Sequence, residues 1–279
     1  MPELPEVETM VRGVRSHLVG RQIQVMRFCR CARKPIQIHP SKQTLRRVLR
    51  NSRIVGIHRL AKRIVITLDN SRSMVIEPRM TGLLLVDTPP TQVHRRIRWE
   101  LDPRPGHADA FEFWDRRGLG TVGLLNEQQM IELRQRLGPD PLAMSPSEWK
   151  YQLARTGRPI KNALLDQNLI VGIGNIYASE ILHQAGISPE SPANSLSARR
   201  IARIAKASSQ ILNDAIRYEG STLGDGTYRT ALNRDGSYQN MHRVYQKDGE
   251  LCPTCGVTLI RRIVQAQRST FYCPRCQRV

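Results

Sequence analysis

The spacing of apolar residues changes several times along the chain, and each change marks a different kind of element. Over residues 3–18 (ELPEVETMVRGVRSHL), Val7, Met10, Val11, Val14 and Leu18 recur at helical spacing, and Gly20 closes the predicted helix. From 21 to 124 the texture becomes a series of short runs: IQVMRF, RIVGIHRL, RIVITL, SMVIEPRM, GLLLVD, RIRWEL, AFEFWD and TVGLL. Turn-formers such as Asp69-Asn70-Ser71 and Thr88-Pro89-Pro90 separate them, so the segment predicts a β-sandwich or barrel. Residues 126–137 predict a helix capped by Asn126, followed by a Pro- and Gly-rich linker. Ser145 with Glu148 three residues on predicts a capping box, and helical patterns follow over 147–155, 160–167, 174–185 and 197–218. The polar, Gly-rich stretch 219–250 predicts a mobile loop, and no internal repeat is present.

Composition narrows the class. With 279 residues and 40% hydrophobic positions, the chain can bury one large core or two ordinary ones. No apolar run is long enough to span a bilayer, and MPELPEVE is too acidic for a targeting signal. The expectation is a soluble, cytoplasmic protein. The formal charge of +19, with arginine far outnumbering lysine, points to a phosphate-bearing partner. Nucleic acid leads, and ribosomal RNA or an anionic membrane surface are the rivals. No long basic amphipathic helix with a strong apolar face supports the membrane. A monomer is expected, since no apolar patch suggests self-association.

The sharpest local signal is at the C-terminal end. Cys252 and Cys255 form one C-x-x-C, and Cys273 and Cys276 form a second. That spacing suits a zinc ribbon, in which two thiolates from each turn complete a tetrahedron with no open position. The alternative of two disulfides requires an oxidising compartment, which the N-terminus does not announce. Cys29 and Cys31 read as ordinary strand residues, and none of the seven histidines pairs at metal spacing. The glycines of VGIGN (171–175), leading into a helix, make a candidate anion site or a plain helix–helix turn.

The first residues carry candidate chemistry. Removal of Met1 would expose Pro2 as a secondary amine, and about a tenth of an α-amino group with pKa near 8 is neutral at pH 7. Such an amine attacks a carbonyl-type carbon and yields an iminium that is already cationic. Glu3, beside it, is placed for acid–base work, although Glu3, Glu6 and Glu8 also suit the positive end of a helix dipole. Lys62, in His-Arg-Leu-Ala-Lys-Arg, reads as a phosphate clamp, a proton-transfer group or a solvated charge.

Taken in order, MPELPEVE, the β-rich first half, LLDQNLIVGIGNIYASEILHQAGISP and the terminal C-x-x-C…RSTFYCPRC closely resemble the formamidopyrimidine-DNA glycosylase family, whose sister branch is endonuclease VIII. The resemblance spans the whole chain. It implies an α+β fold: an N-terminal helix with a β-sandwich (1–137), a linker (138–147), a helix–two-turn–helix domain (148–220), a lesion-capping loop region (221–250) and a four-cysteine zinc-ribbon finger (251–279) with one structural zinc. It implies a bifunctional enzyme that excises oxidised purines from double-stranded DNA and then cleaves the abasic site by β,δ-elimination. By the same likeness Pro2 matches the nucleophile, Glu3 the acid that protonates the sugar, Lys62 a lysine for phosphate contact and β-elimination, and Arg268 the finger arginine tied to δ-elimination. Glu6 matches a second acid near the lesion. Met80, Arg117 and Leu119 match residues that fill the hole left by a flipped base. His94, Lys161 and Asn175 match DNA-contacting positions. Leu119 stands where the family usually has Phe, Glu77 where it often has His, and Gly224 where purine-specific members carry a cation. These departures put base preference in doubt and keep open an endonuclease VIII-like enzyme for oxidised pyrimidines. They leave Pro2, Glu3 and Lys62 untouched, which argues against the remaining alternative, a non-catalytic binder of damaged DNA.

Overall fold

A computed structural model describes residues 2–278, so the expected removal of Met1 lies outside the described residues. The chain divides into two compact units. The first comprises residues 1–135 and 218–239, and the second residues 136–217 and 240–279.

In the first unit, helix α1 (Leu4–Leu18) buries Val7, Met10, Val11, Val14 and Leu18, the stripe that predicts it. Strands β1 (Ile23–Phe28), β7 (Arg95–Leu101), β8 (Ala110–Asp115) and β6 (Gly82–Leu85) form one antiparallel sheet in that order. Strands β2 (Gln37–His39), β9 (Thr121–Leu125), β5 (Ser73–Glu77), β4 (Arg63–Leu68) and β3 (Ile54–Leu60) form the other, and only β2 runs parallel to its neighbour. One core joins both sheets and α1, including Ile23, Ile64, Met74, Leu84, Ile97 and Phe113, so the sandwich expectation holds. Trp99 stacks on its cross-strand neighbour Phe111 with centroids 4.7 Å apart. The outer face of β4 and β5 is covered by α3 (Glu127–Gln135), which starts at a reciprocal Asn126–Gln129 cap.

Three expectations change. Residues 42–49 form a helix, α2 (Lys42–Leu49), capped by Ser41, with Leu45 and Leu49 buried and Val48 half-buried against the core. Cys29 and Cys31 follow β1 rather than lie in it, because pairing with β7 ends at Phe28. Lys62, which lies between two of the strand-like runs, sits in the turn that joins them: Leu60 pairs with Arg63, leaving Ala61 and Lys62 as a two-residue connection with Ala61 at φ 57°. The polar stretch after residue 218 is also less free than its composition suggests. Tyr228 and Ala231 join the first unit's core, so residues 218–239 are held by burial.

The second unit contains α4 (Pro146–Ala154), α5 (Ile160–Leu165), α6 (Asn175–Ala185) and α7 (Ala198–Arg217). The Ser145–Glu148 capping box forms as predicted. A hairpin of β10 (Arg261–Gln265) and β11 (Arg268–Tyr272) follows. Among the described residues, no helix is long and apolar enough to cross a membrane.

Candidate active site and metal centre

The N-terminal constellation is built on the first turn of α1. Pro2 is buried immediately before the helix, and Glu3 is its N-cap, paired with Glu6 in a capping box. Glu3 and Glu6 are each 1% exposed. The Glu6 carboxylate accepts the Glu3 N–H at 2.8 Å and the Ser221 N–H at 2.9 Å. One acid therefore ties the N-terminus to the 218–239 segment. Gly220, at φ 79°, lies against that carboxylate, where an added Cβ would come within 2.9 Å of an oxygen. The Tyr228 phenol donates to the Glu219 carbonyl at 3.0 Å, and burial together with Glu6 pushes its pKa well up. The helix dipole and the acid–base readings of Glu6 thus meet a third use, as a tether.

The Lys62 turn is bound to the same helix. Arg59 donates to Glu8 of α1 at 3.1 Å and to the Ala61 carbonyl at 3.2 Å. Lys62 is half-buried.

Two loops of the sandwich meet around a buried carboxylate that inspection of the chain does not single out. Asp115 is fully buried at the end of β8. It accepts the Thr81 hydroxyl, the Arg117 N–H at 3.1 Å and the Gly120 N–H at 2.8 Å. Thr81 in turn accepts the Arg117 N–H at 3.0 Å. The loop bearing Met80 and the loop bearing Arg117 and Leu119 are thereby fastened to each other. Met80 is 37% exposed, Arg117 is exposed and Leu119 half-buried. Gly118 is obligatory here: its φ is 66°, and a Cβ would fall 1.9 Å from the Lys34 carbonyl oxygen.

Beside this clamp lies a recess of about 480 Å³ lined by Arg33, Lys34, His94, Arg116 and Arg117. His94 packs edge-on against Trp114, and burial, then the nearby arginines, lower its pKa. With four cations and a neutral imidazole, the recess suits an anion.

In the second unit, Lys161 is fully buried. Its ammonium donates to Asn175 Oδ1 at 2.7 Å, the Ser269 carbonyl at 3.0 Å and Thr270 Oγ1 at 2.7 Å. Asn175 opens α6 and donates to the same Ser269 carbonyl at 3.0 Å. Lys161, matched by resemblance to a DNA-contacting position, joins the start of α6 to β11. Lys161→Met is expected to take a donor from Asn175 Oδ1 and Thr270 Oγ1, leave the Ser269 carbonyl with Asn175 alone, and cost the second unit roughly 3 kcal/mol. Faster hydrogen exchange of the β11 amides would show this, and unchanged exchange would refute it. Arg268 is exposed at the start of β11, next to a two-residue turn in which Ala266 and Gln267 both take positive φ, 46° and 61°. Neither is glycine, so the hairpin tip carrying Arg268 is strained.

Cys252, Cys255, Cys273 and Cys276 bring their sulfurs within 4.8 Å of one another, the one candidate metal cluster among the described residues. The Cys252–Cys276 and Cys255–Cys273 separations are 3.9 and 3.8 Å. A tetrahedron with Zn–S bonds of about 2.3 Å has sulfur–sulfur edges of about 3.8 Å, so the set fits one structural zinc. Without a metal, backbone N–H groups of Val257 and Thr258 draw Cys255 down to about 6, whereas burial and its sulfur neighbours push Cys276 up to about 12. Around the cluster only Val244, Ile260 and Phe271 add a fully buried apolar core. Chelation is therefore expected to unfold residues 251–278, read as loss of amide protection in β10 and β11. Retained protection in demonstrably zinc-free protein would refute this.

Comparison with known proteins fits this geometry. Residues 1–122 match the formamidopyrimidine-DNA glycosylase N-terminal domain, residues 137–226 the formamidopyrimidine-DNA glycosylase H2TH domain, and residues 249–279 the zinc finger found in FPG and IleRS. The formamidopyrimidine-DNA glycosylase of Chloroflexus aurantiacus is 40% identical over 279 residues, covering 99% of this chain and 98% of that protein. The MutM (Fpg) protein of Thermus thermophilus superposes with a TM-score of 0.85 at 33% identity, covering 99% and 98% of the two chains. A Lactococcus lactis FPG variant, solved in complex with Fapy-dG-containing DNA, gives 0.87 at 30% identity over the whole of both chains.

Proposed function

This chain belongs to the formamidopyrimidine-DNA glycosylase family, and from that premise we propose that it excises oxidised purines from duplex DNA and then cleaves the strand at the abasic site. The observation that carries the reading is the Glu6 tether, which holds the Pro2–Glu3 end of α1 against the 218–239 segment. The Pro2 nitrogen, freed of Met1, attacks C1′ of the damaged nucleotide. The glycosidic bond breaks, and the base leaves with its electron pair. Glu3 supplies a proton as the sugar ring opens, and the amine's own proton is lost as the iminium forms. The cationic iminium acidifies the neighbouring C2′ proton, which allows β-elimination of the 3′ phosphate. Lys62 serves that step and the phosphate beside it, and Arg268 serves the following δ-elimination.

A base must leave the helix stack before C1′ is reached. Met80, Arg117 and Leu119 stand on the two loops clamped by Asp115, and they fill the vacated space. The His94 recess takes a backbone phosphate, and so does Asn175 above the Lys161 charge. Zinc, when bound by the four cysteines, supplies folding energy to the finger that presents Arg268.

A second reading rests on Gly224. It replaces a cation expected of purine-specific members, and nothing lies within 4 Å of its Cβ position. An endonuclease VIII-like preference for oxidised pyrimidines follows from that loss. Excision from duplexes carrying 8-oxoguanine or thymine glycol decides between them. The proposal expects the purine to be removed at least tenfold faster, and pyrimidine-only activity would overturn it. A protein that binds both duplexes and cuts neither would be a damage binder.

A further inference from the structure

The zinc centre has a neighbour outside its ribbon. His183, on α6, is 4% exposed, and its Nε2 lies 3.4 Å from the Cys252 sulfur and 3.5 Å from Thr254 Oγ1. Its Nδ1 is buried and has no hydrogen-bond partner among the described residues. One turn earlier on the same helix, Glu180 accepts the backbone N–H groups of Arg243, Val244 and Tyr245 at 2.9, 3.0 and 2.8 Å. These residues lead into the ribbon, and Val244 belongs to its core. Helix α6 thus grips the ribbon twice, once at its approach and once at a metal ligand.

The second grip has a chemical consequence. A cysteine bound to zinc is a thiolate, which accepts hydrogen bonds and donates none. The ring proton must then sit on Nε2, and Nδ1, buried without a partner among the described residues, keeps a bare lone pair. An N–H···S bond draws charge from the sulfur, which steadies the zinc–thiolate bond and blunts the sulfur as a nucleophile.

We propose that His183 is a positioning residue of the zinc centre, donating Nε2–H to the Cys252 thiolate and slowing both release of the metal and oxidation of its ligand. In that oxidation the thiolate attacks one peroxide oxygen, the O–O bond breaks, and a sulfenic acid and hydroxide result. A protein acting on oxidised DNA meets such oxidants.

The test uses the full chain. In zinc-loaded protein with 15N-labelled histidine, long-range 1H–15N correlation is expected to show the His183 proton on Nε2. His183→Phe, which fills the space without a donor, is expected to release zinc to a colorimetric chelator about tenfold faster, with and without hydrogen peroxide. In cobalt-substituted protein the same change should move the thiolate-to-metal charge-transfer band to longer wavelength. His183→Gln, which keeps an N–H, should restore both readouts towards wild type. A packing role alone would leave the band in place. A proton on Nδ1, or a His183→Phe protein with wild-type release and an unmoved band, overturns the proposal. The tautomer measurement decides it even if the variant does not fold.

Discussion

A Pro2→Gly protein is expected to bind lesion-containing duplex as wild type does and to lose base excision by roughly 10³-fold or more, a loss of the size seen when a covalent nucleophile is removed. The change keeps an N-terminal amine, so the loss has two sources. A primary amine gives a neutral imine that must gain a proton before it can act as an electron sink, whereas the proline iminium is cationic from the start. The proline ring also fixes the direction of the nitrogen's substituents and lone pair about the N–Cα bond, and it is followed by Glu3, whose N–H is locked to Glu6 at 2.8 Å. Glycine frees the N–Cα bond, so the amine's lone pair is no longer held in one direction. Single-turnover excision of 8-oxoguanine, with binding measured in parallel, checks this. Excision within tenfold of wild type would remove Pro2 from the mechanism.

Asp115→Ala carries the second large effect. The carboxylate receives the Thr81 hydroxyl and the N–H groups of Arg117 and Gly120, all inside the fold. Each buried donor left unpaired costs about 1–3 kcal/mol, so a total near 4 kcal/mol is expected. At about 2–4 °C per kcal/mol for a unit of this size, the first unit should melt roughly 10 °C lower. The functional loss should be selective. In the proposed mechanism Met80 and Arg117 replace an extruded base, so excision of 8-oxoguanine should fall about 10²-fold, as misplacement on the order of 1 Å commonly costs. Cleavage of a pre-formed abasic site, which has no base to displace, should fall much less. Equal losses on both substrates would assign Asp115 to stability alone.

Much of this architecture is legible in the chain, and the omissions have physical causes. Helix α1 announces itself because Val7, Met10, Val11, Val14 and Leu18 are all buried on one side. Helix α2 hides because Lys42, Arg46 and Arg47 fill its outer face and only Leu45 and Leu49 are buried, with Val48 half-buried beside them, a stripe too thin to stand out among strands. Tyr228 and Ala231 join the core from a segment whose polar average suggests freedom, and Ser221, Thr227, Thr230 and Tyr238 are buried with them, whereas composition counts every residue equally. Asp115 reads as the last residue of a strand. Its partner Thr81 lies 34 positions away, and only the tertiary fold brings the two loops to one carboxylate. His183 is likewise scattered among the histidines until α6 places it against Cys252. Local pattern thus finds the elements and the zinc ligands, while the groups that hold functional loops in place depend on long-range packing.

The most direct test of the account is the position of the covalent bond. The wild-type protein is incubated with an 8-oxoguanine duplex and sodium borohydride, and the trapped complex is digested and mapped by mass spectrometry. The account predicts a reduced adduct on the N-terminal peptide, at the nitrogen of Pro2, with Met1 absent. An adduct on Lys62 or any other lysine, or no adduct while the base is still released, would contradict it.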